Sequence, residues 1–163
     1  MNKMKTKTIA VTGVIAALYV AVSLLVAPFA FGAVQFRIAE MFNHLIVFNK
    51  KYFFGIVLGV FITNMFSPMA AYDLTFGVAH SIITLSLTIL ATKYVKGNIA
   101  RMVINTVLFT FTMCIIAFEL MLALDFPFFY TWLTVAAGEF TVLAVGIPII
   151  IALDKRLNFK TLI

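Results

Sequence analysis

Charge is what this sequence has least of. Of 163 residues only 11% are Asp, Glu, Lys or Arg, against 64% hydrophobic, and there are four prolines, two histidines and a single cysteine. Each scarcity excludes something. One cysteine, Cys114, rules out an intrachain disulfide. Two histidines on separate predicted helices, with scattered carboxylates, make a poor metal-ligand set, and neither a G-x-S-x-G nor an H-E-x-x-H run supplies a nucleophile or a zinc-bound water. No Walker motif is present, so a nucleotide-driven step has to come from elsewhere. No basic run interleaved with aromatics points to nucleic acid.

What remains are long apolar runs, far outside the composition of a soluble domain. A spanning helix needs roughly 20 apolar residues, which leaves room for about six. The breaks fall at Pro28 to Gln35, Asn49 to Lys51, Ser67 to Asp73, Lys93 to Arg101 and Asp125 to Phe129. The chain therefore reads as all-α, a polytopic membrane protein forming one transmembrane domain over 1–163. Its six expected helices lie at about 8–28, 34–49, 51–68, 73–95, 100–124 and 130–153. The run from Ile9 to Ala27 is too long for a signal-peptide h-region and is read as a retained helix. The second helix is the shortest and most polar, so it has to rest against protein or a wet cavity. The methionines and phenylalanines are read as packing or lipid-facing residues.

Eleven of the 12 basic residues cluster at Lys3 to Lys7, Lys50 and Lys51, Lys93 to Arg101, and Lys155 to Lys160. In a six-helix arrangement these all lie on one side, and the positive-inside rule makes that side, with both termini, cytoplasmic in a cell membrane. Arg37 is the exception. Counting helical rise from the basic ends puts Glu40, Asn64, His80, Glu139 and Glu119 roughly 15 to 27 Å away, toward the outer half. Asp73 and Asp125 extend the same set. Ionisable groups inside a membrane are costly unless paired or wetted, so this cluster implies an outward-opening polar cavity.

The candidate substrate-binding residues are Arg37, Glu40, His44, Asn64, Asp73, His80, Glu119, Trp132 and Glu139. Arg37 and Glu40, at spacing i, i+3, also read as a local ion pair. His44 lies one α-helical turn beyond Glu40 and reads either as a packing histidine or as a ligand contact, whereas Asn43 is expected to point away from it. His80, two turns after Asp73, is open between core and pocket. Glu119 and Glu139 have no basic residue within a turn, which favours function. Trp132, Phe36 and Tyr72 are candidate stacking platforms or belt aromatics. In the first helix Gly13, Ala17 and Ala21 form a smooth i, i+4, i+8 strip, widened by Thr8, Thr12 and Ala16, on which another helix can pack closely.

The stretches "GAVQFRIAE" opening the second helix, "YDLTFG" opening the fourth and "WLTVAAGEFTVLAVGIPII" in the sixth, with Gly138 and Glu139, resemble the QueT family of queuosine-precursor transporters. These are S components of energy-coupling factor (ECF) transporters. One departure is "GVAHSII" after "FG", around His80, where a threonine-rich run is expected. The resemblance implies an S-component bundle that captures a 7-deazaguanine base from outside. It implies docking through the alanine strip onto a membrane coupling protein, the T protein, driven by two ABC-type ATPases, with no cofactor held by this chain. It makes the loop from Pro28 to Val34 a candidate lid. A deazaguanine offers a ring N–H beside an exocyclic amine, a donor pair that Glu139 or Glu119 can accept bidentately, while Arg37 or Asn64 can donate to its carbonyl. An aminomethyl arm, being cationic, wants a second carboxylate, for which Glu40 or Asp73 is available. Still open are an S component for another vitamin or purine, a stand-alone proton-coupled carrier and, more distantly, an intramembrane enzyme.

Overall fold

A computed structural model describes residues 3–26 and 36–163. The candidate lid from Pro28 to Val34 lies outside the described residues, as does Gln35 of the "QFR" run. The described chain is helical throughout: α1 Lys3–Leu25, a 3-10 helix numbered α2 over Ile38–Val47, and α3 Tyr52–Asn64. There follow α4 Ala70–Ala91, α5 Asn98–Leu124, α6 Phe128–Leu157 and a short α7 Phe159–Leu162.

Six helical segments thus stand where six are expected, but they are not six equal spans. Thr6–Leu25, Ala70–Ala91, Asn98–Leu124 and Phe128–Leu157 are long and apolar enough to cross a membrane. The 10 residues of α2 and the 13 of α3 reach only about 20 Å each, against a hydrocarbon core of about 30 Å. The protein is a multi-pass helical membrane bundle with four full-length helices and two shorter apolar ones packed among them.

Close packing of α1 on α3 comes from glycines of α3. A Cβ on Gly55 would stand 3.0 Å from the Thr12 carbonyl oxygen, and one on Gly59 would stand 2.7 Å from the Tyr19 Cβ. The face of α1 that meets them carries Ile15, Ala16, Tyr19 and Ser23, all buried. Gly13, Ala17 and Ala21 face away and are exposed, and a Cβ on Gly13 would touch nothing within 4 Å. The small strip of α1 is therefore not used for packing among the described residues.

Ile15, Leu45, Ile56, Leu85, Phe109, Leu143 and Ile150 belong to the main core, which joins α1 to α6. A smaller cluster of Met113, Ile116, Leu120 and Val135 closes the seam between α5 and α6. At the end that carries most of the lysines and arginines, the chain turns at Asn158, which has positive φ, and α7 folds back beneath the bundle. Phe159 packs on Phe48 and Tyr52, its carbonyl accepts from the Tyr52 hydroxyl at 2.9 Å, and its N–H donates to Asp154 Oδ1 at 2.8 Å. Lys7 Nζ donates to the Thr161 carbonyl at 3.0 Å, tying α7 to α1.

Candidate functional site

Two local departures from the α-helix set the polar groups. The first is α2. In a 3-10 coil residues i and i+3 eclipse, which stacks Asn43 over Glu40 and turns His44 about a third of a turn aside. The expected alignment of Glu40 with His44 is thus replaced. Asn43 Nδ2 donates to Glu40 Oε2 in a short hydrogen bond, and Tyr19 on α1 donates its hydroxyl to Glu40 Oε1 at 2.7 Å.

The second departure is a π-helical turn, Asp73–Gly77, inside α4. Turns of this kind are rare and concentrate at functional sites. Asn64 at the end of α3 donates through Nδ2 to the Asp73 carbonyl at 2.8 Å, and a Cβ on Gly77 would lie 2.7 Å from that nitrogen. Glycine is needed there because the Asn64 amide fills the space. The turn presents the Asp73 carboxylate inward, where it is buried.

Arg37 does not pair with Glu40 as its i, i+3 spacing suggests. It precedes α2 with φ −84 and ψ 77, outside the helix whose register would bring the two together, and its Nη2 reaches Asp73 Oδ1 at 3.2 Å. The other oxygen of Asp73 accepts a short hydrogen bond from Ser67, whose Oγ also accepts from the Met69 N–H at 3.0 Å. Asp73 and Glu40 are therefore both supplied with protein donors at each oxygen.

Glu119 on α5 and Glu139 on α6 are not. Each residue is 1% exposed, and none of their four carboxylate oxygens accepts from an amide, hydroxyl or guanidinium of the described residues; Glu119 has only the carboxyl of Asp73 within hydrogen-bonding range. Glu119 stands beside Asp73, and Glu139 beside Glu40, with Arg37 within electrostatic reach of both. Asn43 Oδ1 and His80 Nδ1 are also buried without partners. His80 Nε2 lies 3.0 Å from Thr112 Oγ1, and its ring meets Phe109 edge-on. The site thus has one guanidinium, four carboxylates and five acceptor atoms with no N–H or O–H donor among the described residues. A buried polar group left unpaired costs about 1–3 kcal/mol. Such a surplus of acceptors suits a ligand rich in N–H groups.

Other candidates lie elsewhere. Both ring nitrogens of His44 are engaged: Asn105 Nδ2 donates to Nδ1 at 3.3 Å, and Nε2 donates to the Leu143 carbonyl at 2.9 Å. Trp132 sits in the α5–α6 seam against Phe111 and Phe128, its indole donating to the Phe111 carbonyl at 3.2 Å. Phe36 and Tyr72 are each 40% exposed. Asn64 supports the π turn. Tyr19 and Ser67 carry no sequence signal for the site, and Asn43, expected to point away from His44, instead bonds Glu40, as eclipsing at i, i+3 allows. No three His, Cys, Asp or Glu among the described residues are placed to hold a metal.

A multi-pass helical bundle with a buried, donor-seeking polar site between its helices has the character of a membrane transporter. The sequence matches the QueT transporter family over residues 9–155, and the chain belongs to that family. It is 33% identical over 169 aligned positions to a protein of Lactococcus lactis subsp. cremoris (strain MG1363) described as the queuosine precursor transporter QueT, with 98% of this chain and 99% of that protein covered. No solved structure matches.

Proposed function

We propose that this chain is the substrate-binding S component of an ECF transporter. In this reading it captures a queuosine precursor, a 7-deazaguanine base, from outside and hands it to partner subunits for ATP-driven import. The observation that carries the substrate half is the set of four buried oxygens of Glu119 and Glu139, which accept from no amide, hydroxyl or guanidinium among the described residues. A ring N–H beside an exocyclic amine is the donor pair a carboxylate accepts bidentately, and Arg37 is available for the carbonyl oxygen of the base. The name of the Lactococcus relative points to the same substrate.

The partner half rests on the exposed Gly13, Ala17 and Ala21 strip of α1, to which a T protein would dock, with two ABC-type ATPases behind it. The basic residues at one end of the bundle support cytoplasmic N and C termini, and with them an outward-facing carboxylate cluster. The test is calorimetric titration of the purified chain, without partners, with 7-aminomethyl-7-deazaguanine, its 7-cyano analogue, guanine and a panel of vitamins. One-to-one binding of a deazaguanine is expected. Binding of a different vitamin alone would overturn the substrate, and accumulation by the chain alone in vesicles would overturn the S-component role.

A further inference from the structure

Two of the four carboxylates around Arg37 have a protein donor on each oxygen, and each has a second carboxylate within electrostatic reach that has no such donor among the described residues. Glu40 holds the Tyr19 hydroxyl and the Asn43 amide; its neighbour Glu139 has neither oxygen engaged. Asp73 holds Arg37 and Ser67; Glu119, within hydrogen-bonding range of the Asp73 carboxyl, accepts from no amide, hydroxyl or guanidinium among the described residues. The free acceptors therefore fall into two groups that differ in what accompanies them. Beside Glu40 are both oxygens of Glu139 and the amide oxygen of Asn43, three acceptors on α2 and α6. Beside Asp73 are both oxygens of Glu119, with the π-turn carboxylate as their nearest charged neighbour.

We infer that the ligand is held at two ends. Glu139 with Asn43 Oδ1 takes the three N–H donors of the guanine-like edge, and Glu119, backed by Asp73, takes a cationic amine carried on the other side of the base. This rests on the proposed deazaguanine substrate and deepens it. Three acceptors match one ring N–H and the two hydrogens of an exocyclic amine. Two adjacent carboxylates, only one of which has a cation, match an ammonium, which donates three hydrogens and has no preferred plane. The assignment puts the arm's first contact on Glu119, whose oxygens have no protein N–H or O–H donor among the described residues, whereas each oxygen of Glu40 and Asp73 already has one.

The test crosses three forms of the full chain, wild type, Glu119→Gln and Glu139→Gln, with the aminomethyl and cyano bases in calorimetric titrations. Losing a charged hydrogen bond corresponds to roughly a tenfold to hundredfold fall in affinity. Glu139→Gln is expected to weaken both bases by such a factor. Glu119→Gln is expected to weaken the aminomethyl base by a similar factor and to leave the cyano base within about threefold. Equal weakening of both bases by Glu119→Gln, or unchanged binding in Glu139→Gln, overturns the division. If either variant fails to fold, the wild type alone still decides: it should prefer the aminomethyl base by roughly tenfold or more, and equal affinities overturn the second end. A wild type that binds neither base overturns the substrate reading itself, an outcome distinct from a failed division.

Discussion

Adjacent residues Asn43 and His44 belong to two buried polar networks with opposite character. On the side of His44, Thr88 donates to Asn105 Oδ1 at 2.9 Å, Asn105 donates to His44 Nδ1, and His44 donates to the Leu143 carbonyl. That chain links α4, α5, α2 and α6, and every named donor and acceptor in it has a partner. On the side of Asn43, the cluster around Arg37 is just as buried but keeps five acceptors with no N–H or O–H donor among the described residues. A satisfied network costs little and fixes how helices meet. An unsatisfied one carries a cost that a ligand supplying donors can recover. The difference separates a group built for architecture from a group built for binding, although both read as polar residues in apolar helices.

The comparison can be broken most severely at the unsatisfied cluster. The double variant Glu119→Gln with Glu139→Gln is expected to lose roughly 100-fold or more in deazaguanine affinity, measured by titration, as two charged hydrogen bonds go together. Asn105→Leu attacks the satisfied chain instead. It strands His44 Nδ1 and the Thr88 hydroxyl, and is expected to lower unfolding stability in detergent by about 1–3 kcal/mol while the folded fraction binds as before.

Gly77→Ala lies between the two networks in effect. Its new methyl displaces the Asn64 amide from the Asp73 carbonyl, so the π turn re-forms less well and affinity falls by about tenfold or less, the equivalent of one neutral hydrogen bond. The smallest effect on binding is expected from Ala17→Leu on the exposed strip. Affinity of the chain alone stays unchanged, whereas uptake in cells that contain the coupling subunits declines because close helix approach is blocked.

Much of the unsatisfied cluster is legible in the sequence because burial depth can be counted along a helix. Glu40, Asp73, Glu119 and Glu139 all fall far from the basic ends, and the structure gathers them about Arg37. The pairing within the cluster is not legible that way. Arg37 finds Asp73 36 residues on, a tertiary contact that competes with the local Glu40 and prevails because Arg37 lies outside the helix. The 3-10 geometry of α2 exchanges the roles of Asn43 and His44, since an α-helical count rotates by 100° per residue and a 3-10 count by 120°. The helices are legible in part: α2 is short, as its polar composition suggests, whereas α3 covers only Tyr52–Asn64 of the expected 51–68. Apolar composition marks α2 and α3 as buried helices, but a helix sheltered by its neighbours need not be long enough to cross the bilayer alone. Trp132 was weighed as a platform or a packing residue, and the α5–α6 seam, which periodicity does not reveal, claims it.

The central claim is that Glu139 is kept for a ligand and contributes nothing to holding the fold. The most direct measurement is the thermal unfolding midpoint of Glu139→Gln beside wild type, each with and without 7-aminomethyl-7-deazaguanine. Removal of a buried, partnerless carboxylate should leave the ligand-free midpoint unchanged or higher, and the ligand-induced rise seen in wild type should largely disappear. A ligand-free midpoint that drops while the ligand-induced rise persists would contradict the account.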